Sequence, residues 1–92
     1  MKKKIINIEK KIINIVSDIL NINRLNLSQK SSLYNIEKWD SLKHIQIIMA
    51  IEDQFKIKFS VDDMNNASSV GKLINKTKNL KYYRKSANIS KL

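Results

Sequence analysis

The spacing of isoleucine and valine near the start of this 92-residue chain constrains the fold more than any other feature of the sequence. Apolar residues recur there every three or four positions, with lysines and asparagines between them: Ile5, Ile8, Ile12, Ile15, Val16 and Ile19. An α-helix turns once every 3.6 residues, so this spacing places all of them on one face. The pattern predicts an amphipathic helix over residues 4–22 that packs its apolar face against other helices.

The segment that follows, residues 21–38, loses the helical period. It is rich in asparagine, serine and glutamine, which is typical of a long connecting loop. Its apolar residues, with the tryptophan that follows, are expected to hold the loop on the core: Leu25, Leu27, Leu33, Tyr34, Ile36 and Trp39. A long ordered loop in a small domain is usually functional.

Capping residues mark where the later helices begin. Asp40 precedes a helix that runs to about residue 55, and Ser60 precedes a short helix over residues 61–66. Ser68 or Ser69 caps a last helix, whose inward-facing residues are expected to be Val70, Leu73, Ile74 and Thr77.

These elements predict an all-α fold class: a small antiparallel bundle of three main helices plus one short helix. Residues 1–80 are expected to form a single domain, with residues 81–92 as a basic, frayed C-terminal tail.

Composition argues against several kinds of site. With no cysteine and one histidine, the chain has no disulfides and too few ligands for a zinc site. One glycine and no proline argue against glycine-rich phosphate loops. The longest apolar run, residues 47–51, is far shorter than the roughly 20 residues of a membrane span. We therefore expect a cytoplasmic protein without a metal site or a membrane span.

The net charge of +10 suggests a nucleic-acid partner, but its distribution weakens that interpretation. Residues 1–36 have a net charge of +5, residues 37–63 of −2 and residues 64–92 of +7. Lys, Ile and Asn make up 43 of the 92 residues, as the codon bias of an AT-rich genome would produce. A small basic helical protein that binds nucleic acid is therefore an alternative function, with the aromatic and basic residues 81–85 as its contact segment.

The helix after Asp40 carries apolar side chains on two faces. At the ideal 100° per residue, Ile47, Ile48, Ile51 and Phe55 span one sector of about 100°. Leu42, Ile45 and Met49 fall on a second sector centred roughly 130° away. The second face is either an exposed docking surface or a second buried contact in a tight bundle, and the helical projection does not decide between them.

The sequence around this helix resembles a known family. Asp40-Ser41-Leu42, followed by Ile45, Ile48, Met49-Ala50-Ile51-Glu52 and Phe55, resembles the modification helix of acyl carrier proteins. Phe59, Val61-Asp62-Asp63 and Ser68-Ser69-Val70 stand where that family has its short third helix and the start of its fourth. The resemblance covers roughly residues 4–80 and implies the same helical fold.

The resemblance implies that Ser41 is the attachment point for 4′-phosphopantetheine, which a phosphopantetheinyl transferase takes from coenzyme A. A serine in the first helical turn lies beside unpaired amides and the positive end of the helix dipole, which favour a phosphodiester anion. The arm supplies the thiol that the chain lacks and holds an acyl or related group as a thioester. Acyl- or aminoacyl-activating and transferring enzymes would then be the partners, and the chain itself would have no catalytic residue.

The resemblance also gives roles to the neighbours of Ser41. Asp40 caps the helix and helps the transferase to engage. Four residues are expected to contact partner proteins: Leu42, Ile45, Met49 and Ala67. Family members usually carry acidic residues where this chain has Lys43 and Gln46, which implies a dedicated biosynthetic pathway with its own partners.

Two further alternatives involve Ser41. Asp40, Ser41 and His44 have the residue types of a hydrolase triad, with Ser41 and His44 one helical turn apart. No oxyanion hole or G-x-S-x-G elbow accompanies them, and His44 projects near the core sector. The chain could also be a carrier-like adaptor that is never modified.

Overall fold

The computed structural model describes residues 2–82, with side chains described from residue 8 onward. Within that range the chain forms four α-helices: α1 (Lys2–Leu20), α2 (Ser41–Phe55), α3 (Val61–Asn66) and α4 (Val70–Tyr82). A 3-10 turn, Arg24–Asn26, lies in the long loop between α1 and α2. Residues 2–82 contain no strand, although one isolated β-bridge joins Ser32 to Ser69.

The core forms where α1 packs on both α2 and α4. It buries the apolar stripe of α1 from residue 8 onward, as the sequence predicts, together with the first apolar face of α2 and the inward residues of α4. Its most deeply buried members are Ile12, Val16, Leu20, Trp39, Ile47, Ile48, Ile51, Val70, Leu73 and Thr77. The predicted small helical bundle is confirmed.

Helix α1 ends two residues earlier than predicted, because the backbone of Asn21 adopts the left-handed conformation (φ 56°). The amide of Ile22 then donates to the carbonyl of Ser17, which ends the helix in a Schellman motif. Helix α2 ends in the same way, with Lys56 in the left-handed conformation (φ 58°) and the amide of Ile57 donating to Glu52. Neither position has the glycine that usually marks such a helix end. The sequence therefore gave no signal for the end of α1 at Leu20.

The long loop is held on the start of α4 by backbone hydrogen bonds. The amides of Val70 and Gly71 donate to the carbonyls of Ser31 and Gln29 at 2.9 and 3.0 Å. A Cβ atom at position 71 would lie 3.1 Å from the Gln29 carbonyl oxygen, which explains why the chain's single glycine stands at this close approach.

Two apolar residues of the loop do not hold it on the core, and this part of the prediction is wrong. Leu25 is 90% exposed and Tyr34 is 80% exposed. Trp39 does anchor the loop, with 1% of its surface exposed, and the other three predicted residues, Leu27, Leu33 and Ile36, pack on the core while half-buried. The hydrophobicity of Leu25 and Tyr34 gave no indication that they face solvent.

The predicted boundary at residue 80 falls inside α4, because Lys81 and Tyr82 form the last helical residues. The Lys81 ammonium donates to the Phe55 carbonyl oxygen at 3.2 Å, which holds this helical end against the end of α2. The rest of the predicted tail, residues 83–92, lies outside the described residues, so its frayed character stays a prediction.

Candidate functional site

The site begins at the first turn of α2. Asp40 is its N-cap, as predicted, and its carboxylate accepts the Lys43 amide at 2.9 Å. Ser41 is the first residue of the helix and is exposed. Its hydroxyl therefore lies at the positive end of the helix dipole and within reach of another protein.

The structure decides between the two interpretations of the second apolar face of α2. Ile47, Ile48, Ile51 and Phe55 are buried, whereas Leu42, Ile45 and Met49 are 63%, 49% and 61% exposed. The second face is therefore a free apolar surface, which we call the α2 stripe. It begins at the residue after Ser41.

An open groove of about 440 Å³ lies beside Ser41. Its walls come from the long loop, α2 and α3: Leu33, Tyr34, Ser41, His44, Ile45, Met64 and Asn65. The groove joins the Ser41 hydroxyl to Ile45 of the α2 stripe. The space is mostly apolar.

His44 lies beneath this groove and is buried. Its Nδ1 atom accepts the indole N–H of Trp39 at 3.0 Å, and its Nε2 atom lies 2.9 Å from the Met64 carbonyl oxygen. Because both ring nitrogens have partners other than Ser41, and the Asp40 carboxylate accepts from the backbone, the triad geometry is not formed.

Helix α3 is short but held at several points. Ser60 and Asp63 form a capping box, in which the Ser60 hydroxyl accepts the Asp63 amide and the Asp63 carboxylate accepts the Ser60 amide. The Lys76 ammonium of α4 lies 3.1 Å from Asp63. Partial burial raises the pKa of Asp63, but hydrogen bonds from Ser60 and Lys76 outweigh it and hold that pKa below its ordinary value of 3.8.

The predicted role of Ala67 as a partner contact is wrong, because Ala67 is only 1% exposed and belongs to the core. It is the C-terminal cap of α3, and its amide donates to the Asp63 carbonyl at 2.9 Å. In its place, α3 presents Val61, which is 67% exposed. A six-residue helix gives too short a pattern for the sequence to distinguish these two faces.

Sequence reasoning also missed four residues that line the groove, namely Leu33, Tyr34, Met64 and Asn65. They come from the loop and from α3, so only the packing of these elements on α2 brings them beside Ser41. The position of His44 near the core sector was the one available signal, and it correctly indicated burial.

Several of the basic residues that suggested a nucleic-acid surface are engaged within the protein. Lys76 pairs with Asp63, Lys78 pairs with Glu9 at 3.2 Å, and Lys81 donates to a backbone carbonyl. Of the aromatic and basic segment, only Lys81 and Tyr82 are described, and Tyr82 is 44% exposed. The absence of a nucleic-acid partner stays a prediction.

Across residues 2–82, no cluster of histidine, cysteine and acidic side chains could hold a metal ion. None of the helices in this range combines the length and the apolar character needed to cross a membrane.

Comparison with known proteins identifies the family of this chain. The family model described as the phosphopantetheine attachment site matches residues 10–76. The fold is similar to the solution structure of the holo acyl carrier protein from Geobacter metallireducens, with a TM-score of 0.71 and 26% sequence identity. That alignment covers 86% of this chain and 90% of the other. No curated protein matches the sequence significantly.

The family match covers well over half of the chain. Such proteins carry a covalently attached 4′-phosphopantetheine and are not enzymes, which confirms the predicted cofactor and the absence of catalytic activity. The chain belongs to the phosphopantetheine-attachment family and is a carrier protein with the acyl-carrier fold.

Proposed function

We propose that Ser41 carries the phosphopantetheine and that the α2 stripe is where partner enzymes dock. The observation that carries this proposal is the position of an exposed serine at the first residue of α2, between an open groove and a free apolar face. This arrangement combines an accessible hydroxyl, a favourable site for an anion and a surface for recognition.

The residues around Ser41 fit the group. The Asp40 carboxylate accepts a hydrogen bond from the Lys43 amide. This bond holds the first turn of α2 in place and with it the direction of the Ser41 side chain. The dipole of α2 favours the phosphodiester at Ser41, and the apolar walls contributed by Leu33 and Ile45 accept the uncharged part of an arm. When bound, the group supplies the thiol for thioester formation, which this cysteine-free chain cannot provide.

The α2 stripe supports recognition by apolar contact. Leu42, Ile45 and Met49 extend from Ser41 along α2, and Val61 of α3 is a further exposed apolar side chain. Large apolar side chains that stay exposed next to a modification site are typical of protein interfaces. We propose that the transferase and the enzymes that load and unload the carrier all use this surface.

Charge contributes less to this surface than apolar contact. Asp63 pairs with Lys76, the Glu52 carboxylate accepts the Phe59 amide at 2.8 Å, and Asp53 lies 4.0 Å from Lys56. Lys43 places a positive charge on α2 itself. A partner with a strongly basic docking face would gain little here, which supports a dedicated biosynthetic pathway with its own partners.

The test is the intact mass of the protein after incubation with coenzyme A and a broad-specificity phosphopantetheinyl transferase. We expect a gain of one phosphopantetheine on the native chain and none on Ser41→Ala. Ser28→Ala is the matched control, because it removes the hydroxyl of an exposed serine in the loop and should keep the gain.

Modification that persists in Ser41→Ala would assign the arm to another residue. No gain with several transferases, including that of the source organism, would leave the unmodified adaptor as the function to pursue. The nature of the cargo, acyl or aminoacyl, then follows from the activating enzyme that loads the modified chain.

A further inference from the structure

The chain's only tryptophan and only histidine are hydrogen-bonded to each other beside the groove. An indole N–H can only donate, so the Nδ1 atom of His44 that accepts it carries no proton. The remaining proton of a neutral imidazole therefore lies on Nε2, where it is donated to the Met64 carbonyl oxygen at 2.9 Å. The partners of His44 thus fix its tautomer as the Nε2–H form.

These two hydrogen bonds, which we call the His44 bridge, connect three elements. Trp39 belongs to the loop that leads into Ser41, His44 to the first turns of α2, and Met64 to α3. Both His44 and Met64 line the groove that contains Ser41. The bridge therefore sets the distance between the walls of the groove.

We propose that His44 is a positioning residue for Ser41 that works only as a neutral imidazole, and that its protonation releases the Trp39 end of the loop from α2 while the Nε2–H donor to Met64 is kept. An imidazolium carries N–H on both nitrogens, so Nδ1 would direct its proton at the indole N–H of Trp39. Histidine is the side chain type whose charge most commonly changes between about pH 5 and pH 8, so a titration over that range is the test. The effect on Ser41 rests on the proposed function, whereas the bridge itself does not.

The charged and titratable groups around His44 come from the loop, α2 and α3. Of the residues that line the groove with His44, Tyr34 carries a phenol and Asn65 an amide. The nearest acidic residues along α2 and α3 are Asp40, Asp62 and Asp63, of which Asp40 and Asp63 accept other hydrogen bonds. Lys38 and Lys43, on the loop and on α2, add positive charge. Within the described residues no carboxylate is hydrogen-bonded to His44.

The test uses the unmodified chain, because Trp39 gives a single indole N–H signal in an NMR spectrum. We expect the ring nitrogens of His44 to show the Nε2–H tautomer at about pH 7.5. On titration to about pH 5.5, the indole signal should shift together with the His44 ring. An Nδ1–H tautomer, or an indole signal that ignores the titration of His44, would overturn the proposal.

Hydrogen exchange reports on the release of the loop. The Trp39 amide donates to the Ile36 carbonyl oxygen at 3.0 Å, so its exchange measures whether the end of the loop stays in place. After correction for intrinsic rates, we expect exchange of the Trp39 amide in the wild type to become about tenfold faster at about pH 5.5 than at about pH 7.5, whereas the Met64 and Ala67 amides of α3 keep their rates. His44→Asn places an amide oxygen near the Nδ1 position and cannot be protonated, so its exchange should not depend on this pH change. Equal pH dependence in both proteins would contradict the proposal.

The link to Ser41 has its own measurement. We divide the modification rate of the wild type by that of His44→Asn at each pH, because this ratio cancels the pH dependence of the transferase. The ratio should fall on acidification. A constant ratio, with the bridge titrating as expected, would mean that the bridge does not position Ser41. Complete lack of modification at every pH would instead contradict the proposed function, while the NMR and exchange results would still decide the bridge.

Discussion

At the scale of single residues, Thr77 is the buried residue of the described core whose side-chain hydroxyl makes no hydrogen bond. It lies in α4 with none of its surface exposed, and its hydroxyl has no hydrogen-bond partner among the described residues. A buried hydroxyl without a partner keeps the full cost of its removal from water. Thr77 therefore reduces the stability of the bundle although it helps to fill the core.

We predict that Thr77→Val raises the free energy of unfolding by about 1 kcal/mol, since it replaces the unpaired hydroxyl by a methyl group of similar shape. Chemical denaturation of the two proteins measures the difference. Thr77→Ser is the matched control: it keeps the hydroxyl, removes the methyl group and should lower stability by about 1 kcal/mol. A Val variant less stable than the wild type would show that the hydroxyl has a partner.

At the scale of elements, α3 depends on neighbours more than on its own six residues. A helix this short is not stable in isolation, so its capping box and its contacts with other elements hold it in place. The Lys76–Asp63 pair holds it to α4, and the Met64 carbonyl holds it to α2 through His44. One wall of the groove beside Ser41 is thus formed by an element whose stability depends on these contacts.

The lowered pKa of Asp63 gives this support a definite pH dependence. A carboxyl whose pKa is lower in the folded than in the unfolded state stabilises the fold at a pH above its unfolded value. That contribution is lost as the pH falls through the folded value. We therefore expect wild type to exceed Asp63→Asn in stability near neutral pH, and the difference to shrink below about pH 4.

Denaturation of both proteins at a series of pH values measures this difference. Asp62→Asn is the matched control, because Asp62 also lies in the first turn of α3 but takes no part in the capping box. A difference between wild type and Asp63→Asn that stays constant from neutral pH to about pH 3 would contradict the assignment.

At the scale of the whole molecule, exposed apolar side chains of the described residues line one side of α2 and the start of α3. Within that range Leu42 and Leu25 are the two most exposed leucines, at 63% and 90%, but only Leu42 belongs to the α2 stripe. Leu25 instead lines a separate groove against α1, with Lys10 and Ile13. The two leucines allow the same substitution to be compared at a docking and a non-docking position.

We predict that Leu42→Gln lowers kcat/KM for transferase modification about tenfold, which corresponds to a loss of about 1.4 kcal/mol of binding energy. Leu25→Gln should leave the rate unchanged. Both variants should keep their stability to within about 0.5 kcal/mol, because both side chains are exposed. Equal modification rates for the two variants would show that the transferase does not dock on the α2 stripe.

The weak contribution of charge to this surface is also measurable. Apolar recognition predicts that kcat/KM falls less than about twofold between about 50 and about 300 mM salt, whereas recognition by charge would be screened over this range. Modification reactions quenched at several times and analysed by mass spectrometry give kcat/KM at each salt concentration, and hence its dependence on salt. A steep decline would show that the remaining acidic residues guide the partner.

The sequence by itself determined the helical class, because an isoleucine stripe with helical spacing can be buried only as one face of a helix. It also determined where α2 and α3 begin, because Asp40 and Ser60 place side-chain oxygens where unpaired amides need them. For α4 it left Ser68 and Ser69 as alternatives, and the structure shows that the Ser69 hydroxyl accepts the Lys72 amide. The pattern that follows Asp40-Ser41-Leu42 indicated the family and its cofactor, both of which the comparisons confirm.

Only the tertiary structure decided which apolar residues stay exposed. Periodicity assigns residues to faces of a helix, but it does not say which faces meet another element. It therefore left the α2 stripe undecided. The apolar character of Tyr34 placed it on the core, and the family resemblance placed Ala67 among the partner contacts, but the structure shows Tyr34 exposed and Ala67 buried. The His44 bridge and the groove beside Ser41 likewise depend on the packing of the loop, α2 and α3, because their residues are distant in sequence and meet only in the folded chain.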